Sequence, residues 1–231
     1  MDLDTLVRDA AILQAEVQAH LADLIGPGTR HDGRWDVDLA TGTFSQASSS
    51  GDATFVARVG LLGSAAPGPA SWLWAWANPQ YDGPVTEASL LVRDLGARHG
   101  VEELTQAEVP LGEREPREVA WRMGAAAILA LGPWPTYSFD AGRGTIGAFV
   151  LSSDALRLPA PSMPRLLRSM GEAAQSLGIG RSSVTTWAQL RGVAAETTPE
   201  GLLLHLPDGD VTARVDEQDR VTGMTGTARP S

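Results

Sequence analysis

Ser71-Trp72-Leu73-Trp74-Ala75-Trp76-Ala77-Asn78-Pro79 holds three of the seven tryptophans of the chain, spaced two residues apart. Strand side chains alternate between faces. An extended segment here therefore turns Trp72, Trp74 and Trp76 to one side and Leu73, Ala75 and Ala77 to the other. Apolar residues on both faces mark an interior strand covered on both sides. Asn78-Pro79 breaks the run.

Upstream, residues 34–39 alternate as a strand with Trp35, Val37 and Leu39 on its buried face. Residues 40–43 read as a hairpin turn around Gly42, and a return strand begins near Phe44. The Ser48-Ser49-Ser50-Gly51-Asp52 cluster is a loop. A strand over residues 54–62 sets Phe55, Ala57, Val59 and Leu61 together, with Arg58 on the other face beside Val56 and Leu62. Residues 63–69 turn the chain into the tryptophan strand. These segments fit an antiparallel meander. An amphipathic helix over residues 3–25 precedes it, with Leu3, Leu6, Val7, Ala10, Leu13, Val17, Leu21 and Leu24 on one stripe.

Downstream, Pro84 opens a helix through His99, with Val85, Ala88, Leu91, Val92 and Leu95 inward and Gly100 as its C-cap. Residues 103–111 read as a short strand or an extended connector. A third helix over residues 116–131 is apolar all round in its second half, the mark of a helix buried against a sheet. Its alanines would let it approach the indoles closely. Residues 134–140 and 145–151 form a hairpin. Gly142-x-Gly144-x-x-Gly147 has the spacing of a dinucleotide fingerprint but leads into a strand, where the fingerprint requires a helix.

The proline-rich residues 156–164 mark a boundary. Beyond them Ser162 caps a helix through Leu177, a short helix spans residues 184–191, and three or four strands follow with a turn at Pro207-Asp208-Gly209-Asp210. The expected architecture is α+β: an antiparallel sheet packed against helices over residues 1–155, and a smaller ααβ unit over residues 156–231. That unit, about 75 residues long, has a marginal core of its own and is expected to dock on the first domain.

The composition excludes several chemistries. All 18 basic residues are arginine, so a P-loop lysine and a lysine Schiff base are absent. Cysteine is absent too, which removes disulfides, thiol catalysis and Cys-ligated metal. A net charge of −10 disfavours nucleic acid and anionic membranes as partners. The first residues lack a signal-peptide pattern and no apolar run reaches membrane-spanning length, so the expected location is the cytoplasm.

The order of elements over roughly residues 1–152 resembles a family of uncharacterised actinobacterial domains. The likeness is carried by the N-terminal helix, the Trp-x-Val-Asp strand, the Trp-x-Trp-x-Trp-Ala-Asn run and the helix ending His99-Gly100. It implies no known activity. At the level of fold alone, the chain is also similar to small α+β chaperone-like domains that bind partner polypeptides.

His20, His31, His99 and His205 are scattered without metal-site spacing, although His31, Asp32 and Asp36 lie close in sequence. No metal or other cofactor is expected. No Gly-x-Ser-x-Gly elbow occurs. Asp36 and Asp38 share a strand face, most simply an outward acidic one. These absences point to a non-catalytic interaction module that binds another protein. The alternative is a small-molecule-binding domain or cryptic enzyme beside the tryptophan strand, where Trp72, Trp74 and Trp76, with Arg58, would contact an apolar ligand. Core packing is the preferred reading of the indole row, and whether Arg58 lies on the tryptophan side depends on the sheet register.

Overall fold

The computed structural model describes residues 1–51 and 54–229. Asp52, the end of the expected loop, lies outside them. Contacts divide the chain into two compact units: Met1–Leu3 with His20–Arg157, and Asp4–Ala19 with Leu158–Ser231. The first helix, α1 (Leu3–Ile25), is thus shared between them. Among the described residues no helix is long and apolar enough to cross a membrane.

In the first unit, β1 (Trp35–Asp38), β2 (Thr43–Ala47), β3 (Thr54–Ala66), β4 (Ser71–Trp74) and β5 (Glu108–Pro110) follow one another in an antiparallel sheet. The hairpin of β6 (Thr136–Gly142) and β7 (Thr145–Ser152) joins through β7. β3 is the spine: β2 pairs with residues 54–58 and β4 with residues 63–66, while β7 runs beside residues 58–65. The hairpin leaves its glycine triplet between two strands, as the rejection of a dinucleotide fingerprint requires.

The register sorts the side chains. Arg58, Gly63 and Ala65 share one face with Trp74, Trp72, Ala148 and Ser152, because cross-strand partners point the same way. On the opposite face, Phe55, Ala57 and Val59 join Phe44, Phe149 and Leu151 in a core that also takes Leu21 and Ile25 of α1. A bulge between Leu61 and Gly63 inserts Leu62, which is fully buried, and keeps the two faces apolar past the irregularity.

The tryptophan face is covered by α2 (Glu87–His99) and α4 (Pro116–Leu131). Ala125, Ala126 and Ala127 of α4 are fully buried, and α4 lies against β3, β4, β6 and β7. Gly63 makes room for an indole on this face: a Cβ there would stand 2.7 Å from the Trp72 ring. Gly100 ends α2 in the left-handed region at φ 65°, as glycine permits. The ambiguous segment resolves into a one-turn helix, α3 (Glu102–Thr105), and β5.

Three local expectations need correction. The tryptophan strand ends at Trp74, and Ala75–Ala77 form a 3-10 turn that removes Trp76 from the row. β1 is a sheet edge, so Trp35 remains 38% exposed and Val37 only half-buried. Leu91 faces away from the core on α2.

The second unit pairs residues 4–19 of α1 with α5 (Met163–Ser176), α6 (Arg181–Arg191) and a four-stranded antiparallel sheet. Its strands are β8 (Ala194–Thr198), β9 (Gly201–Leu206), β10 (Gly209–Val215) and β11 (Val221–Ala228), in sheet order β11-β10-β9-β8. Leu202, Leu204, Leu206, Val211 and Ala213 alternate onto the buried face, and α5 and α6 pack on the sheet. Ser162 precedes α5 without a side-chain cap. The Met163 N–H instead donates to both carboxylate oxygens of Asp208, at 3.0 and 3.1 Å. A turn residue more than forty positions away thus caps the helix.

Candidate binding site

The first unit carries a cluster of aromatic rings on the face turned away from α2 and α4. Alternation along β1, β2, β6 and β7 sends Trp35, Phe44, Tyr137, Phe139 and Phe149 to this side. Trp35 lies nearly parallel to Phe44 at 6.2 Å and edge-on to Tyr137 and Phe139 at 5.8 and 6.5 Å. Tyr137 stacks on Phe149 at 5.5 Å. Contact between rings of β1 and β6, two strands that do not pair, shows how strongly the sheet curls. Phe44 and Phe149 are fully buried, whereas Tyr137 and Phe139 are half-buried. Partial burial pushes the Tyr137 phenol above its ordinary pKa, so it is neutral at physiological pH.

Beside this cluster lies a hollow of about 230 Å³. Leu39, Leu61, Ala75 and Phe139 supply apolar wall, and Ser64, Asn78, Gln80 and Thr145 supply polar groups. Gly147 also lines it: a Cβ there would stand 2.3 Å from the Phe139 ring, so glycine lets that ring lie flat on the sheet. The Asn78 side-chain oxygen accepts from the Gln80 N–H at 3.0 Å, and the Asn78 carbonyl accepts from the Tyr81 N–H at 3.1 Å. This turn carries Tyr81 to the hollow. Tyr81 is the one ionisable side chain among the described residues lining it.

The sequence candidates fall elsewhere. Trp72 and Trp74 are fully buried and meet edge-to-face at 5.3 Å. The Trp74 indole N–H donates to the Glu103 carbonyl at 2.9 Å, whereas the Trp72 N–H is buried without a partner. Trp76 lies half-buried beneath the Arg93 guanidinium, 5.3 Å from its ring centre. Arg58 shares the sheet face of Trp72 and Trp74 but sits five residues from Gly63, roughly 17 Å along β3 at strand rise. It lines a different hollow, with Trp134 and Arg157. Fully buried indoles offer a ligand no surface. The tryptophan motif contributes to the hollow through Ala75 and the Asn78 turn instead.

Among the described residues no group of three or more His, Asp or Glu side chains could hold a metal ion. Asp38 accepts from the Ala40 and Thr41 N–H groups at 2.8 and 3.2 Å. Its bonds to Thr41 and Ala40 hold its pKa below the ordinary carboxylate range, the sign of a turn cap. Asp32 accepts from the Ser49 N–H at 3.0 Å in a similar role.

Two clusters in the second unit escaped the sequence reading. On the open face of its sheet, His205 Nδ1 lies 3.0 Å from Asp210 and Nε2 lies 3.3 Å from Glu196. The register makes both carboxylates its neighbours: Asp210 is directly opposite on β10, and Glu196 is on β8 across from Leu203. Within the core, Glu16 of α1 is 1% exposed, accepts from the Trp187 indole N–H at 2.8 Å and pairs with Arg191 at 3.2 Å.

The fold is that of an α+β protein built on a curled antiparallel sheet backed by helices. Residues 4–155 match the family model of DUF6882, a family of unknown function, and the chain belongs to that family. No curated protein and no solved structure matches it significantly.

Proposed function

We propose that the chain is a non-catalytic interaction module whose hollow takes an uncharged apolar side chain from a partner protein. The observation that carries this reading is an uncharged, aromatic-rimmed hollow of about 230 Å³ beside the exposed ring of Trp35. Pockets for free ligands run to about 300–1,000 Å³, so this one suits a single anchoring side chain better than a whole small molecule. Partly exposed aromatic side chains are the groups that anchor protein interfaces. The described residues of the lining present no carboxylate or imidazole to transfer a proton. On the same reading, the Trp-x-Trp-x-Trp-Ala-Asn run is a family hallmark because it builds both the covered layer and the hollow wall. The exclusive use of arginine accords with an actinobacterial source.

A photo-crosslinking side chain at Gln80, which is exposed on the rim, tests the reading in cells. The expected result is a discrete protein adduct that disappears when Ala141→Leu fills the hollow. Ala141 is exposed, so thermal stability serves as the control for intact folding. An adduct indifferent to Ala141→Leu, or no adduct above background, would overturn it. A saturable NMR shift of the Trp35 indole N–H on adding free indole would move the assignment to a small apolar ligand.

A further inference from the structure

The hollow around Arg58 lies on the other face of the sheet and has the opposite character. It measures about 380 Å³, within the range of small-ligand pockets. Val56, which is 54% exposed, and Trp134 provide apolar surface. The Arg157 guanidinium stands 5.8 Å above the Trp134 ring and is paired with Asp154 at 2.9 Å. Arg58 is exposed and makes no ion pair or hydrogen bond among the described residues. Among the described residues lining it, two guanidinium groups against one carboxylate leave a single positive charge, in a chain whose net charge is −10; Arg58 also borders a smaller hollow that Asp82 lines. The register sets Thr43 and Ser152 on either side of Arg58, so two hydroxyls flank the free cation. Ser153 lines the same hollow, and its Oγ has no hydrogen-bond partner.

We infer that this hollow binds a monoanionic carboxylate carried on a compact apolar or aromatic body. The carboxylate accepts from Arg58, a planar fork matched to two oxygens, and from the flanking hydroxyls. The apolar body rests on Val56 and Trp134. One unmatched charge among the described lining residues selects a monoanion. A free organic acid and the C-terminal carboxylate of a peptide present the same chemistry. This site is independent of the uncharged hollow on the opposite face.

The test is a titration of the full-length, isotope-labelled chain, read by NMR at the Trp134 indole and the Ser153 amide. The probes are phenylacetate, its neutral amide phenylacetamide, and a short peptide ending in phenylalanine with a free or an amidated C-terminus. Phenylacetate is expected to shift both signals saturably. Phenylacetamide, and phenylacetate added to the Arg58→Gln variant, are each expected to bind about tenfold more weakly, the loss that follows removal of a charge-assisted hydrogen bond. Arg58 is exposed, so an unchanged melting temperature verifies that the variant folds. A free-terminus peptide that binds more tightly than phenylacetate identifies a peptide C-terminus as the occupant; the reverse order identifies a free acid. Equal binding of the amide, undiminished binding by Arg58→Gln, or the absence of saturable shifts with any carboxylate would overturn the inference.

Discussion

At the scale of single residues, the second unit places polar groups in two opposite ways. Glu16 is withdrawn from water and held by Trp187 and Arg191, whereas His205 stands on an open sheet face between Asp210 and Glu196. Asp210 in turn lies 3.5 Å from Arg229. The hydrogen bond to Asp210, with a smaller contribution from Glu196, raises the His205 pKa above its ordinary value of about 6.5. A raised folded-state pKa means that the folded chain holds the proton more tightly than the unfolded one. The stabilisation is therefore complete below about pH 6.5 and is lost as pH rises through the raised value. Replacing His205→Asn is expected to flatten the stability profile across that window, measured by chemical denaturation at a series of pH values. A profile of unchanged slope would remove His205 as its source.

At the scale of elements, the periodicity of residues was a good guide wherever one face met one neighbour. The all-round apolar second half of α4 was legible as a helix buried against a sheet, and Ala125, Ala126 and Ala127 are all fully buried. Ala126→Leu is expected to destabilise the protein by about 1–3 kcal/mol through overpacking. Equilibrium denaturation checks this, and an unchanged midpoint would show that the helix has room to move outward. The tryptophan stretch was legible as a strand up to Trp74. The 3-10 turn at Ala75–Ala77 was not, since Trp76 and Ala77 continue the alternation and only the chain direction required beyond Asn78 breaks it. Edge position was equally hidden: Trp35, Val37 and Leu39 have the pattern of a covered strand, yet β1 pairs on one side only. The hollow shows the same limit. Its walls come from Leu39, the Asn78 turn, Phe139 and Gly147, segments that carry no shared motif.

At the scale of the whole molecule, the family match covers residues 4–155, while contacts group residues 4–19 with the C-terminal unit. Leu6, Val7, Ala10, Leu13 and Val17 of that segment are buried, and Glu16 neutralises Arg191. Removing one partner of a buried ion pair typically costs about 3–5 kcal/mol, and each buried leucine or valine adds about 1.5–3 kcal/mol. These losses rival the whole stability of a small domain. Deletion of residues 1–19 is therefore expected to abolish cooperative unfolding of the C-terminal unit, seen as lost amide-exchange protection in β9 and β10. Retained protection there would show that the sheet and its two C-terminal helices suffice.

The amino-acid sequence by itself determined the kinds of element, most of their turns, and the chemistries that a chain without lysine or cysteine cannot perform. These follow from local rules: side-chain period, capping residues, the conformational limits of glycine and proline, and composition. Only the tertiary structure decided which face each aromatic ring occupies, where Arg58 lies, and that Glu16 meets Trp187 across 171 positions. Such partners are chosen by strand register, by the bulge in β3 and by the curl of the sheet, which depend on all neighbouring strands at once. The tryptophans at residues 72 and 74 are therefore core, and the hollow is walled by rings and turns that no single stretch of sequence brings together.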